Sequence, residues 1–232
     1  MNSEDELSIY RYERKFFITS STIDQVEQIL KLHSSMFNEI YHERNINNIY
    51  FDTHQLRNYF ENVEGETNRS KVRIRWYGDL FGTIVNPKLE VKVKRGFLGR
   101  KHAVNFDEFS ISEELNLSKL YKPKNLIIDS KYLDLRSLYP SLLNRYTRKY
   151  FLSSDGRFRA TLDHDQSFYN LFQRPKFNRL PKPKIDKASV ILELKYAYGE
   201  DKIANKIISE LPYRVTKSSK YVTGMQKTLV VR

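Results

Sequence analysis

The segment Lys71-Val-Arg-Ile-Arg-Trp76 constrains the fold more than any other part of the chain. Side chains two apart in a strand share a face. Lys71, Arg73 and Arg75 therefore take one face, and Val72, Ile74 and Trp76 the other. The same period-two pattern recurs in four further segments. Glu13 and Lys15 share a face. Glu90, Lys92 and Lys94 oppose Leu89, Val91 and Val93. Arg157 and Arg159 oppose Phe158 and Ala160. Glu193 and Lys195 oppose Leu192 and Leu194. Each segment predicts a strand with one apolar face and one face of long charged groups, mostly cationic. A lone strand of this kind is an ordinary half-solvated one. Several together, with Arg and Lys dominating and a Glu two residues ahead of a Lys in three strands, point further.

If these faces converge, the cations repel. Two unit charges roughly 6 Å apart cost about 3 kcal/mol at an effective dielectric of 20. Such a ring is stable in water or around a polyanion. Arg suits phosphate because its planar fork can bind two oxygens at once, while Lys acts as a point charge. The pattern predicts an inside-out barrel with a wet, polar lumen and apolar outer faces covered by helices. Carboxylates in such a lumen either neutralise neighbouring cations, as expected for Glu13 and Glu90, or hold a hard divalent ion. For Glu193 both roles stay open.

Strand patterns cover Tyr10–Ile18, Asn48–Asp52, Ser70–Gly78, Lys88–Arg95, Ala103–Phe109, Arg145–Ser153, Arg157–Asp163, Val190–Tyr196 and Tyr213–Thr216. Helical stripes run over Thr22–His33 (Ile23, Val26, Ile29, Leu30) and Asp201–Leu211 (Ile203, Ile207, Ile208), the second stopped by Pro212. Leu126–Leu138 and Ser218–Leu229 are weaker helical patterns. Many strands and few helices predict an α+β fold with an antiparallel sheet. The proline-rich Arg174–Lys187 reads as a loop, so residues 1–232 are expected to form one domain.

Charge narrows the partner. Lys plus Arg number 40 against 28 acidic residues, a net +12. That surplus predicts nucleic acid, an anionic membrane or phosphate-rich small molecules. Nucleic acid is disfavoured, because the aromatics needed for base stacking read as core. Trp76 is expected in the core, and Phe168, Tyr169 and Phe172 either pack or line a mouth. The absence of cysteine excludes disulfides and Cys-ligated zinc. The five histidines (His33, His42, His54, His102, His164) show no metal-ligand spacing. With no apolar run of about 18 residues and a polar, acidic start, the expectation is a cytoplasmic protein with no membrane span.

The ordered motifs also carry a family resemblance. They are Tyr10-Arg-Tyr-Glu-Arg-Lys-Phe-Phe-Ile18, Tyr50-Phe-Asp-Thr53 with Leu56 and Tyr59, Lys71-Val-Arg-Ile-Arg-Trp-Tyr-Gly78, Leu89-Glu-Val-Lys-Val-Lys94, Arg148, Arg159-Ala-Thr-Leu-Asp163, Ile191-Leu-Glu-Leu-Lys195 and Ser219-Lys-Tyr-Val-Thr-Gly-Met225. Together they resemble the polyphosphate polymerase (VTC) domain of the triphosphate tunnel metalloenzymes. The resemblance implies a tunnel of about eight antiparallel strands with helices outside. It also implies transfer of the terminal phosphate of ATP to a growing polyphosphate chain, with Mn²⁺ or Mg²⁺.

Carried across by motif, the resemblance implies that Lys15, Arg73, Arg75, Lys92, Arg148, Arg159 and Lys220 are the phosphate-handling cations. Lys94, Lys195, Tyr146 and Ser219 would add substrate contacts, and Glu193 would be the metal carboxylate. A further cation is expected from either Arg100 or Lys101. Arg11 stands where other tunnel enzymes have a first glutamate, which favours the polymerase branch. Two other activities stay open, a metal-dependent hydrolase of triphosphates and a non-catalytic polyphosphate or inositol-phosphate sensor. The eukaryotic family members' membrane and regulatory domains have no counterpart in these residues, so coupling to transport would need a separate membrane partner.

Overall fold

The computed structural model describes residues 11–95, 98–112, 137–172 and 179–229. Eleven strands and four helices occur among them. The strands are β1 (Arg11–Ile18), β2 (Asn38–Asp52), β3 (Asn68–Tyr77), β4 (Gly82–Ile84), β5 (Lys88–Arg95), β6 (Leu98–Asn105), β7 (Phe109–Ile111), β8 (Tyr139–Leu152), β9 (Arg159–Asn170), β10 (Lys184–Asp186) and β11 (Val190–Ala197). The helices are α1 (Ile23–Leu32), α2 (Arg57–Val63), α3 (Asp201–Glu210) and α4 (Lys220–Thr228). The fold is the expected α+β one. Strands pair in the order β1-β11-β9-β8-β2-β3-β5-β6, with β10 on β9, and β4 pairs β7 separately. The described pairs contain none that closes this order into a barrel. Most of the Leu126–Leu138 pattern, and the start of the Arg174–Lys187 loop, lie outside the described residues.

Two compact units emerge, and β2, β8, β9 and β10 contribute residues to both. The first holds described residues of 1–44, 146–166 and 186–218. In it, β1 pairs antiparallel with β11, which pairs with β9. Alternation then sorts the side chains as expected. Phe16, Leu192, Leu194, Ala160 and Leu162 are buried on one face with Val26 and Leu30 of α1 and Ala204 and Ile207 of α3. The two helices cover the apolar face, at about 1.5–3 kcal/mol for each large side chain buried. A capping box starts α1, with Thr22 accepting from the Gln25 N–H and the Gln25 side chain accepting from the Thr22 N–H. Ile203 is a correction to the expected α3 stripe, since it is exposed.

The second unit holds described residues of 45–145, 167–185 and 219–229. Here β3 pairs with β2 and β5, and β5 with β6. Val72, Ile74 and Trp76 are buried with Ile49, Phe51, Leu89 and Val91, beneath Leu80, Ile84 and Ile111. A separate cluster joins Tyr221 and Met225 of α4 to Tyr50, Leu56, Leu142 and Phe168. Gly224 permits that approach, because a Cβ there would lie 2.5 Å from both Leu142 Cδ2 and Phe168 Cδ1. Of the aromatic trio, Phe168 is thus core, and Tyr169 and Phe172 are partly buried against apolar clusters.

Other boundaries moved. The expected strand Ala103–Phe109 is two, because the Phe106 N–H bonds to Pro87 O between β6 and β7. Tyr213–Thr216 is not a strand, although Thr216 bonds to β1 through Lys15 O and the Phe17 N–H.

Candidate functional site

In the first unit the polar face is organised around Glu193. Register places Lys15 opposite Glu193 and Glu193 opposite Thr161, with the row Glu13, Lys195, Arg159 alongside. Glu193 lies 3.1 Å from Lys15 Nζ, 3.2 Å from Lys195 Nζ and 3.4 Å from Arg148 Nη2. Arg148 also donates to both oxygens of the fully buried Asp163, 2.7 Å from Oδ2. Glu13 sits 3.4 Å from Lys15 and 3.8 Å from Lys195. Burial alone would lower the Lys15 amine's pKa, but Glu193 and Glu13 outweigh it and hold the group above the ordinary lysine value. Arg148 is likewise buried yet held charged, by Asp163 first among its partners.

Tyr146 is buried, with the Arg148 guanidinium 5.4 Å from its ring centre. Arg159 is exposed in the same register row as Lys195. Arg157 does not join this face. It precedes β9, lies at the surface, and pairs with Asp155 at 2.9 Å and Glu200 at 3.2 Å.

In the second unit Glu90 plays the central part. It lies 2.6 Å from Arg73, 3.7 Å from Arg75 and 2.5 Å from Lys101. Burial would raise its carboxyl, but Arg73, Arg75 and Lys101 pull it down to about 2. Arg73 also donates to Tyr50 Oη at 3.3 Å, and Arg75 to Asn48 Oδ1 at 2.9 Å. Of Arg100 and Lys101, Lys101 therefore joins the polar face; the Arg100 side chain lies outside the described residues. Lys92 is exposed on that face, in register with Lys71 and Lys101, and Lys94 is half-buried opposite Arg69.

The same unit holds the start of α4. Ser219 caps it, accepting from the Val222 N–H, and Lys71 donates to the Ser219 hydroxyl at 3.0 Å. Lys220, next in line, is buried. Sequence reasoning did not foresee what anchors this helix. Buried Asp52 accepts N–H bonds from Thr53, Asn58 and Tyr59 and the Tyr221 hydroxyl at 2.5 Å. Burial raises both groups' pKa values, and for Tyr221 the Asp52 carboxylate adds to it. The motif Tyr50-Phe-Asp-Thr53 carried that signal without its meaning.

Among the described residues, no group of three or more acidic or histidine side chains is placed to hold a metal. Of the histidines, buried His33 bonds to Ile207 O, and His164 bridges Asp165 and Glu43. Glu193, with Glu13 sharing Lys15 and Lys195, offers one or two carboxylates. That number suits Mg²⁺ or Mn²⁺ when phosphate and water supply the other ligands. The donor set fits an ion that arrives with its phosphates.

Two solved structures illustrate what the fold is similar to. One is a "putative adenylate cyclase" from Bacillus halodurans, at 14% identity and TM-score 0.53 over 94% of this chain and 96% of that one. The other is the PH1819 protein from Pyrococcus horikoshii OT3, at 12% identity and TM-score 0.50 over 93% and 96%. No curated protein matches the sequence. The VTC domain model matches residues 10–229, a span that contains both acid-centred cation clusters and the start of α4. The chain belongs to the VTC domain family.

Proposed function

We propose that this chain is a polyphosphate polymerase that moves the terminal phosphate of ATP onto a polyphosphate chain. One observation carries the reading. In each unit, cations from different strands are drawn together on a buried carboxylate, Lys15, Arg148 and Lys195 on Glu193 and Arg73, Arg75 and Lys101 on Glu90. Positive groups are thus pre-positioned, which is what binding a run of phosphates requires.

Phosphoryl transfer needs mainly positioning and charge stabilisation. Lys15, Tyr146, Arg148, Arg159 and Lys195 of the first unit are assigned to phosphate contact or its support. Arg73, Arg75, Lys92, Lys94, Ser219 and Lys220 of the second have the same assignment. The sheet, on this reading, closes into the family's eight-stranded tunnel, with residues 1–232 serving as one domain. A phosphate acceptor is already ionised near neutrality, so no general base is required. Glu193 would hold the divalent ion, Mn²⁺ or Mg²⁺, which when bound supplies neutralisation of phosphate charge. No helix among the described residues is long and apolar enough to cross a membrane. A cytoplasmic site of synthesis, with a separate membrane partner for any export, belongs to the same proposal.

The test is polymer formation from ATP and Mn²⁺ by Arg75→Ala and Lys220→Ala. Both variants are expected to make no polymer while keeping a cooperative melt. Full activity in both would remove these residues from the machinery.

A further inference from the structure

The polar face of the first unit holds one feature that the cation pairs do not explain. Thr161 is 3% exposed. Its Oγ1 is buried and makes no hydrogen bond among the described residues. Leaving a buried hydroxyl unpaired costs about 1–3 kcal/mol. Valine has nearly the same shape without that cost, so the hydroxyl needs another reason to be there.

Its position suggests one. Lys15, Glu193 and Thr161 form a row across β1, β11 and β9. Directly opposed residues of an antiparallel pair have Cβ atoms about 4.5–5.5 Å apart. Thr161 therefore adjoins the carboxylate on which Lys15, Lys195 and Arg148 gather. Along β9 it lies between Arg159 and Asp163, on the same face as both. A hydroxyl cannot donate to these cations, and Arg148 already engages the Asp163 carboxylate. An anion drawn in by the cations would bring a new acceptor. The same row is open to such entry, since the side chains of Lys15 and Lys195 are 27% and 32% exposed.

We infer that Thr161 is a substrate-binding residue whose hydroxyl donates to a phosphate oxygen held by Lys15, Lys195 and Arg148. The inference rests on the phosphate-binding role proposed above for this cluster. Its ligand class is a linear oligophosphate, with tripolyphosphate as the probe.

The experiment is calorimetric titration of tripolyphosphate without metal, with ligand-free melting curves, for the full chain, Thr161→Ser and Thr161→Val. The valine variant is expected to melt at or above the wild type and to bind about tenfold more weakly, the loss of one hydrogen bond to a charged group. The serine variant keeps the hydroxyl and should bind within about threefold of the wild type. Wild-type affinity in Thr161→Val, or equal weakening in both variants, overturns the role. So does a valine variant that melts well below the wild type, because the hydroxyl would then serve the fold. If the wild type does not bind tripolyphosphate, the phosphate reading of the cluster falls and takes Thr161 with it. If the wild type binds and Thr161→Val binds equally well, Thr161 alone is removed.

Discussion

Tyr221 donates its hydroxyl to Asp52 at 2.5 Å, and that carboxylate also accepts three backbone N–H bonds at the start of α2. One buried acid thus ties α4, which presents Ser219 and Lys220, to the end of β2 and to α2. Tyr221→Phe should cost about 1.5–3 kcal/mol, the range for a hydrogen bond to a charged group. Asp52→Ala should cost more, because three N–H groups lose their acceptor. Urea unfolding of the two variants checks both the size and the order, and equal or negligible losses would contradict the tie.

Gly224 sets a second constraint on α4. A Cβ there would meet Leu142 and Phe168 at 2.5 Å, and both are fully buried. Overpacking costs about 1–3 kcal/mol, against a gain of ~1 kcal/mol from replacing a helical glycine with alanine. Gly224→Ala should therefore lower the melting temperature. A variant more stable than the wild type would show that the contact yields freely.

Legibility in the sequence followed local alternation. β5 was expected at Lys88–Arg95 and occurs there; β11 was expected at Val190–Tyr196 and runs one residue further. The sets Lys71, Arg73, Arg75 and Val72, Ile74, Trp76 take opposite faces as expected, because neighbouring strands enforce the pleat. Helix α2 has no matching pattern in the sequence, since its N-cap Leu56 offers no side-chain cap and its first turn is held instead from Asp52 and Thr53. Arg157 departs from its expected face for a related reason. Alternation continues through it, but the turn at Gly156, with φ +74°, ends the strand pattern and lets Asp155 take its side chain. Which carboxylate each cation meets depends on strand order, and spacing along the chain does not encode that order.

Acid should weaken the second unit through Glu90. Its folded pKa is lowered from 4.5 to about 2, so its stabilising effect is present above about 4.5 and lost as pH falls through that window. Unfolding midpoints should drop between these values, and Glu90→Gln should flatten the drop. At neutral pH the same variant leaves Arg73, Arg75 and Lys101 without their shared acid and should lose ~3 kcal/mol. Tripolyphosphate should restore more stability to it than to the wild type. An unchanged acid profile would contradict the pairing.

Glu193→Gln separates charge compensation from metal binding. With the acid gone, Lys15, Arg148 and Lys195 face an incoming anion without that competitor. Metal-free tripolyphosphate should bind roughly tenfold more tightly. Mn²⁺, expected to strengthen binding to the wild type, should have no such effect in the variant. Titrations with and without Mn²⁺ decide it, and an undiminished Mn²⁺ effect would place the ion elsewhere.

The most direct measurement is product analysis after incubating the purified chain with ATP and Mn²⁺, by gel staining for polyphosphate. A ladder of long polymer that grows with time is the predicted result. ATP consumed to free phosphate, with no polymer at any time, would contradict a polymerase and leave a hydrolase in its place.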